Sequence, residues 1–302
     1  MRRATDRMLD KRMTIEDVVD HLSDGMTVGI GGWATRRKPM ALVRAIARSG
    51  LKDLTLVAGY GGPDVGLLAA TGKIRKLVFA FVTLDHHPLD PHFRAARQAS
   101  AFEVLELDEG MFHWGLRAAA MKLPFLPTRI GIGTDIITQA GFAFKTVTSP
   151  YEDGETLVAM PAIAPDVALI HAHRSDPAGN LLTFSLDPFF DELLVRASTR
   201  SFASVERIVP TAELDMRANA RFNLVERAMI TGVAEVPYGA HPTSAAPDYQ
   251  LDPAHLAAYV DSAASPEAWA AYRARFVDVA QDDYVAAVGG AATIAASPVA
   301  IY

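Results

Sequence analysis

Short apolar segments alternate along the chain with stretches whose apolar residues recur at helical spacing. Continuous apolar runs of strand length, separated by helical patterns, are typical of parallel strands that are covered on both faces. The predicted strands are 26–30, 54–58, 77–82, 102–107, 156–160, 167–173, 181–184, 202–209 and 229–236. The predicted helices are 15–22, 39–49, 92–101, 111–123, 189–197 and the helical region 253–288. This alternation predicts one α/β domain with a helical C-terminal extension.

A helix-capping motif and segments with weak periodicity indicate where the domain begins and ends. Thr14 and Asp17 have the spacing of a capping box, so the first helix and the domain are predicted to start there. The basic residues 1–13 are predicted to form a flexible extension, 14–290 the domain, and 291–302 an apolar tail that is disordered or packs on a neighbouring subunit. The glycine-rich segment 128–153 is long enough to be a lid or a binding loop.

Composition and charge exclude several classes of protein. The formal net charge of −6 argues against a nucleic-acid partner, because binding phosphates requires a clustered basic surface. The absence of cysteine excludes disulfides and thiolate chemistry and is compatible with a reducing cytoplasm. The N-terminal segment lacks the apolar stretch of a secretory signal, and no run reaches the roughly 18–20 apolar residues of a membrane span. We therefore expect a cytoplasmic protein without a membrane partner.

Three turns that follow predicted strands are the best candidates for a binding site. They are Gly31-Gly32-Trp33, Tyr60-Gly61-Gly62 and Asp108-Glu109-Gly110. In open α/β sheets the ligand lies just beyond the carboxyl ends of the strands. The two glycine turns allow a ligand to approach the backbone closely, and the third turn carries a carboxylate. Together they predict a single site, which we interpret as a site for an acyl thioester.

The first of these turns also fits a dinucleotide-binding fingerprint, G-x-G-x-x-A, over 29–34. In that motif the helix begins inside the motif, whereas here Pro39 places the helix start several residues too late. A plain tight turn and a turn against which a ligand chain lies are the remaining interpretations. Arg36, Arg37 and Lys38, which follow the turn, either lie near anionic groups of that ligand or form a solvated surface patch.

Glu109 is the best single candidate for chemistry. A carboxylate at a strand end beside apolar residues can have its pKa raised by desolvation, which suits a general base or a nucleophile. The alternative is that the Asp-Glu-Gly sequence only caps a helix.

Two groups of histidines could be taken for metal ligands, but their sequence context favours other roles. His86 and His87 lie in a proline-containing loop without helical ligand spacing, so a surface loop near the mouth of the site is favoured. His171 and His173 share one face of a strand and are more typical of satisfied core residues. No G-x-S-x-G motif supports a serine hydrolase. We expect no metal and no cofactor other than the CoA of a substrate.

Several stretches together resemble the α subunit of the class I CoA-transferases of the glutaconate and 3-oxoacid type. They are 28–33, 165–173 with 179–180, 204–210 and 237–242, and the resemblance extends over about 14–290. Within that family, 36–40, 60–64, 108–111, 123–127 and 148–151 are more similar to the ring-opening CoA-ester hydrolases of steroid catabolism. The resemblance implies a three-layer α/β/α fold with a mostly parallel sheet. It also implies pairing with a β subunit as α2β2, with the active site between the subunits.

The resemblance assigns roles to the three turns. It implies that Glu109 deprotonates a water that attacks a ring carbonyl β to the thioester, with retro-Claisen cleavage, while backbone amides of the two glycine turns stabilise the oxyanion. The residues expected to bind substrate or CoA are Gly31, Gly32, Trp33, Arg36, Arg37, Lys38, Tyr60, Gly61, Gly62 and Gly110. Two alternatives stay open. One is a true CoA-transferase α subunit whose catalytic glutamate lies on the β subunit, and the other is a non-catalytic subunit that binds CoA esters.

Overall fold

The computed structural model describes residues 10–139, 142–151, 154–185 and 188–296. Its strands are β1 (Arg12–Met13), β2 (Thr27–Ile30), β3 (Leu54–Val57), β4 (Tyr60–Gly61), β5 (Ile74–Phe79), β6 (Phe81–Val82), β7 (Glu103–Glu106), β8 (Phe125–Thr128), β9 (Thr146–Thr148), β10 (Thr156–Pro161), β11 (Val167–Ser175), β12 (Leu181–Leu182), β13 (Arg200–Ile208) and β14 (Gly232–Glu235).

The helices lie between these strands and after the last of them. They are α1 (Ile15–Asp20), α2 (Met40–Arg48), α3 (Pro63–Ala70), α4 (Pro91–Gln98), α5 (Glu109–Ala120), α6 (Asp191–Ala197), α7 (Met216–Asn219), α8 (Pro253–Asp261), α9 (Pro266–Phe276), α10 (Gln281–Ala287) and α11 (Ala291–Ala295). The predicted capping box is present, since Asp17 N donates to the Thr14 side chain and Thr14 N donates to the Asp17 side chain. No helix in these four ranges is long and apolar enough to cross a membrane.

The main sheet has the strand order β1-β14-β13-β11-β2-β3-β5-β7, and all of these neighbours pair in parallel. Among the described strands of this sheet, β12 alone pairs antiparallel, with β11. The prediction of a mostly parallel sheet is therefore confirmed. The parallel arrangement places the carboxyl ends of β2, β3 and β7 at the same edge of the sheet.

Successive residues of the central strands pack into two different cores. Leu56 and Leu77 pack on one side with α2 and α3, whereas Val57 and Val78 pack on the other side with α5 and α6. Neighbouring side chains of a strand point to opposite faces of the sheet, so helices must cover both faces. This is the three-layer α/β/α arrangement.

One predicted strand lies outside the main sheet, and the segment predicted to be a lid or a binding loop contains short regular elements. The predicted strand 156–160 is observed as β10, but it lies outside the main sheet and pairs antiparallel with β8 and β9. The segment 128–153, predicted to be a lid or loop, contributes β9 and a 3₁₀ turn at Asp135–Thr138. The small sheet forms because β10 buries Val158 and Met160 in the core that contains α5.

The ends of the chain contain more structure than was predicted. Residues 12–13, placed in the flexible extension, form β1 and pair with β14 at the edge of the sheet. Residues 291–295, placed in the tail, form α11, whose Ile294 is buried against Ala240, Ala245 and Tyr249. Residues 1–9 and 297–302 of these two segments lie outside the described residues, and the division at 14 and 290 stays a prediction.

Buried polar contacts join the C-terminal helices to the α/β layers. The Tyr259 hydroxyl of α8 donates to the Asp90 carboxylate (2.8 Å), and Asp90 also caps α4 by accepting from Phe93 N (2.9 Å). Asp90 is fully buried, and desolvation raises its pKa to about 6. Farther along, the Arg44 guanidinium lies over the Tyr284 ring at 3.5 Å from its centroid.

We predict that Asp90→Asn changes the pH dependence of stability. An ordinary aspartate titrates near pH 4, so between about pH 4 and 6 the folded protein binds more protons at Asp90 than the unfolded chain. The unfolding free energy of the wild type therefore rises, relative to that of Asp90→Asn, as the pH falls from 7 to 5. The expected relative gain is about 1 kcal/mol, measured by urea unfolding at each pH.

The exposed Asp20 provides the control, because Asp20→Asn is expected to leave the unfolding free energy within about 0.5 kcal/mol of wild type throughout. If the difference in unfolding free energy between Asp90→Asn and the wild type stays constant with pH, the assignment of a raised pKa to Asp90 is contradicted.

Candidate active site

The first glycine turn is held by hydrogen bonds from its own backbone. Gly31 N donates to Leu169 O (2.9 Å), and Gly32 N donates to the Asp191 carboxylate (2.8 Å). Gly32 has φ +75°, and a Cβ at this position would lie within 2.7 Å of the carbonyl oxygens of Arg36 and Arg37. A residue with a side chain would therefore be strained and would clash, which explains why the turn requires glycine here.

Arg37 lies inside the protein rather than on a ligand or on the surface. Its guanidinium pairs with the Asp191 carboxylate (2.5 Å) and donates to His171 O (2.8 Å) and to the Ser185 hydroxyl (3.1 Å). Only 1% of Arg37 is exposed. The prediction of a cation near anionic ligand groups and the alternative of a solvated patch were therefore both wrong for Arg37, whose charge is neutralised within the chain.

Lys38 requires the same correction. Its ammonium is fully buried and lies 3.1 Å from the Asp64 carboxylate, which also accepts a hydrogen bond from Gly62 N (2.7 Å). Burial lowers the pKa of Lys38, and the neighbouring Asp64 opposes that shift. Of the three predicted cations, only Arg36 is partly exposed, and its backbone pairs with Trp33.

The structure brings the two glycine turns into direct contact. Ala34 N donates to Tyr60 O (3.0 Å), and the Trp33 ring stacks on the Tyr60 ring with centroids 3.9 Å apart. A Cβ on Gly62 would lie 2.0 Å from Ala34 O. The close approach that glycine permits is thus between two parts of this chain. Gly61, the remaining residue of the second turn, lies in β4 and pairs with Val82.

The predicted oxyanion donors are largely engaged within the protein. Gly31 N, Gly32 N and Gly62 N each donate to an acceptor of this chain. Moving any of these amides onto a substrate oxygen would break a buried hydrogen bond. The structure therefore contradicts the expectation that these three amides stabilise an oxyanion.

The acidic turn begins α5 at the carboxyl end of β7. Asp108 is the N-cap and accepts a hydrogen bond from Gly110 N (2.7 Å). Glu109 is exposed, and its carboxylate forms no hydrogen bond or ion pair with any residue in the described ranges. Because Asp108 supplies the cap, Glu109 is not needed for capping. This chain does not bury Glu109, so the expected desolvation would have to come from whatever covers it.

His113, which sequence reasoning missed, connects the acidic turn to the glycine turns. It lies on α5 four residues after Glu109, and its Nε2 is 2.9 Å from the Tyr60 hydroxyl. Burial lowers the pKa of His113, and the nearby Arg117 lowers it further. The four-residue spacing from Glu109 was the available signal, because such side chains share one helix face. It became informative only once the contact with Tyr60 was known.

Trp33 and Phe81 contact the Tyr60 ring, and Phe189 contacts the Trp33 ring. We define Trp33, Phe81 and Phe189 as the aromatic wall. Ring centroids of Phe81 and Phe189 lie 5.6 Å and 6.1 Å from that of Trp33. All three are partly buried, whereas Tyr60 behind them is buried. The wall provides an apolar surface next to Tyr60, whose hydroxyl contacts His113 on α5.

The histidines considered as metal ligands have other surroundings. His86 is exposed and His87 is partly exposed, in a loop whose Asp85 accepts a hydrogen bond from the Thr35 hydroxyl after the first turn. His171 contacts the Glu206 carboxylate (2.8 Å) in the core, and His173 contacts Ala246 O (2.9 Å). Within the described residues, no group of three or more histidines or carboxylates is placed to hold a metal ion.

Comparison with known proteins gives consistent results. The sequence pattern of a family described as Coenzyme A transferase matches residues 12–221. The chain is 48% identical over 284 residues to a protein of Rhodococcus jostii named Cholesterol ring-cleaving hydrolase IpdA subunit, covering 92% of this chain and 96% of that protein. A protein of Mycobacterium tuberculosis with the same name is 46% identical over 286 residues, covering 93% of this chain and 98% of that protein.

The fold matches that of a solved transferase. The structure of glutaconate coenzyme A-transferase from Acidaminococcus fermentans superposes with a TM-score of 0.87 at 26% identity, covering 94% of each chain.

We predict that Asp191→Ala destabilises the fold strongly. The substitution leaves the buried Arg37 guanidinium without its carboxylate and removes the acceptor of Gly32 N. Losing one partner of a buried ion pair typically costs about 3–5 kcal/mol, which chemical denaturation would measure.

Glu192→Ala is the matched control on the same helix, because its ion pair with Arg196 is largely exposed and is expected to contribute less than about 1 kcal/mol. Equal losses in the two variants would show that the Asp191 pair has no special role.

Proposed function

This chain belongs to the coenzyme A transferase family, and on that basis we propose that it is the α-type subunit of a heteromeric hydrolase that opens a ring of a steroid-derived acyl-CoA. Its 48% identity, over nearly the full length of both chains, to a subunit named for cholesterol ring cleavage carries this proposal. The ring-opening reaction requires a base, and the exposed Glu109, on the same helix as His113, supports that assignment.

In the proposed reaction, Glu109 acts as the general base. Its carboxylate takes a proton from water while the water oxygen forms a bond to a ring carbonyl carbon that lies β to the thioester. The tetrahedral adduct then collapses, and the bond between that carbon and the α-carbon breaks. The electron pair of this bond forms the thioester enolate, which takes the proton back from Glu109. The product is a single open-chain CoA thioester with a new carboxylic acid group at the other end of the opened ring, and no group other than water is consumed.

A partner subunit is part of this proposal. The relatives are named as subunits, which supports a heteromer, and we propose an α2β2 assembly with the active site between the subunits. The exposure of Glu109 supports this arrangement, because a covering chain would supply the desolvation that a carboxylate base needs. We also propose a cytoplasmic location, with which the cysteine-free composition is compatible.

A true CoA-transferase is the second candidate, and the fold match to glutaconate CoA-transferase favours it. In that reaction a glutamate of the partner subunit attacks the thioester and becomes glutamyl-CoA. Hydroxylamine or borohydride trapping would detect this intermediate. A trapped glutamyl-CoA on the partner would support the transferase, whereas ring opening without a trapped intermediate would support the hydrolase. A third, non-catalytic possibility predicts binding of a CoA ester without turnover.

We predict that Glu109→Gln abolishes ring opening, because glutamine cannot accept the proton from water. The expected decrease in kcat is at least about 100-fold, measured on the complex with its partner subunit. Assembly and binding of the CoA ester should be unchanged, since Glu109 makes no contact that holds this fold together.

Glu103→Gln is the matched control, because Glu103 is also exposed but lies at the opposite end of β7. Its turnover should equal that of the wild type. Undiminished turnover in Glu109→Gln would remove the proposed role of Glu109.

A further inference from the structure

The proposed ring opening generates an oxyanion for which the glycine amides are poorly placed. Three of the four candidate amides donate within the chain, as described above, so we searched the surroundings of Glu109 for another donor. We propose that His113 is a catalytic residue whose Nδ1–H donates a hydrogen bond to the ring carbonyl oxygen as water attacks. This inference rests on the proposed function and extends it to the residue that stabilises the oxyanion.

Position on α5 is the first argument. Glu109 and His113 are separated by four residues within the helix. Side chains with this spacing lie on the same helix face, with Cβ atoms about 5–6 Å apart. A carbonyl group bound against this face can therefore meet a water activated by Glu109 at its carbon and the His113 ring at its oxygen.

The hydrogen bond with Tyr60 is the second argument, because it orients the imidazole. His113 Nε2 is 2.9 Å from the Tyr60 hydroxyl, and Tyr60 is fixed by stacking on Trp33. When the hydroxyl donates to Nε2, the neutral ring carries its proton on Nδ1. That nitrogen has no hydrogen-bond partner among the described residues, and His113 is only partly buried, so Nδ1 can reach a substrate.

The charge state of the ring fits this role. Burial lowers the pKa of His113, so the imidazole is neutral near pH 7 and acts as a hydrogen-bond donor without transferring its proton. Arg117, one turn farther along α5, disfavours the protonated ring in the same way. In the addition step the carbonyl π electrons move to oxygen, and the Nδ1–H bond to this oxygen strengthens as its charge grows.

Two substitutions separate a donor to the substrate from a support for Tyr60. In His113→Gln the amide reaches the position of Nε2, which retains the Tyr60 contact and removes the Nδ1 donor. In His113→Asn the amide lies at the position of Nδ1, which retains a donor there and removes the Tyr60 contact. Both variants are assayed in the complete complex with its partner subunit, using a CoA ester that carries a ring ketone β to the thioester.

We expect kcat to fall about 100-fold in His113→Gln with little change in KM, and less than about tenfold in His113→Asn. A residue that only supports Tyr60 would give the opposite order, and that order, or full activity in His113→Gln, would overturn the proposal. Lys122→Gln, exposed just after the same helix, controls for substitution next to α5.

A measurement on the wild type keeps the proposal falsifiable if the variants do not assemble. Nitrogen-15 NMR of the histidine-labelled complex should show His113 as the neutral Nδ1–H tautomer, and a proton on Nε2 would overturn the assignment. A wild-type complex that opens no ring but transfers CoA would refute the proposed function and this inference with it. Ring opening that requires Glu109 but not the Nδ1 donor would refute only the role of His113.

Discussion

A single buried carboxylate fixes the geometry on which the site depends. Asp191, at the start of α6, accepts the amide of Gly32 and pairs with Arg37, and so holds both ends of the first turn. The turn then presents Trp33 to Tyr60, and Tyr60 contacts His113 on α5. The ion pair between Lys38 and Asp64 ties the second turn to the same framework. The surface beside Glu109 is therefore the end of a continuous series of buried contacts.

These ion pairs are better explained by positioning than by stability. Removing charges from water is costly, and an apolar pair of similar volume is often at least as stable. An apolar pair has no directional bonds, however, whereas a carboxylate can bind a particular amide and a particular guanidinium at once. We interpret Asp191 and Asp64 as groups that fix the two glycine turns in one arrangement. Arg37 and Lys38, which were expected to bind substrate or CoA, serve this purpose instead.

The proposed catalytic residues differ in how firmly this chain holds them. The turns, the aromatic wall and His113 are set by contacts within this chain, whereas Glu109 has no partner within the described residues. The helix dipole stabilises the charged form of a carboxylate in the first turn of a helix. Because Glu109 is exposed, water stabilises its charged form further. A carboxylate removes a proton from water more readily when its charged form is less stabilised, so a general base at this position needs less solvation than an exposed side chain receives. The proposed partner subunit would reduce this solvation by covering the turn, so the proposed site would be complete only in the heteromer.

The sequence alone determined the features that depend on local patterns. The continuous apolar run around Leu56 and Val57 and the cap at Thr14 act over a few residues, so most of the parallel strands, the start of α1 and the positions of the three turns followed from periodicity and spacing. Only the tertiary structure decided which distant groups meet. Arg37 pairs with Asp191 and His113 with Tyr60 across long stretches of chain, and β10 pairs outside the main sheet. Neither a charge nor an apolar run specifies its partner, because that choice depends on how the packed layers bring remote segments together.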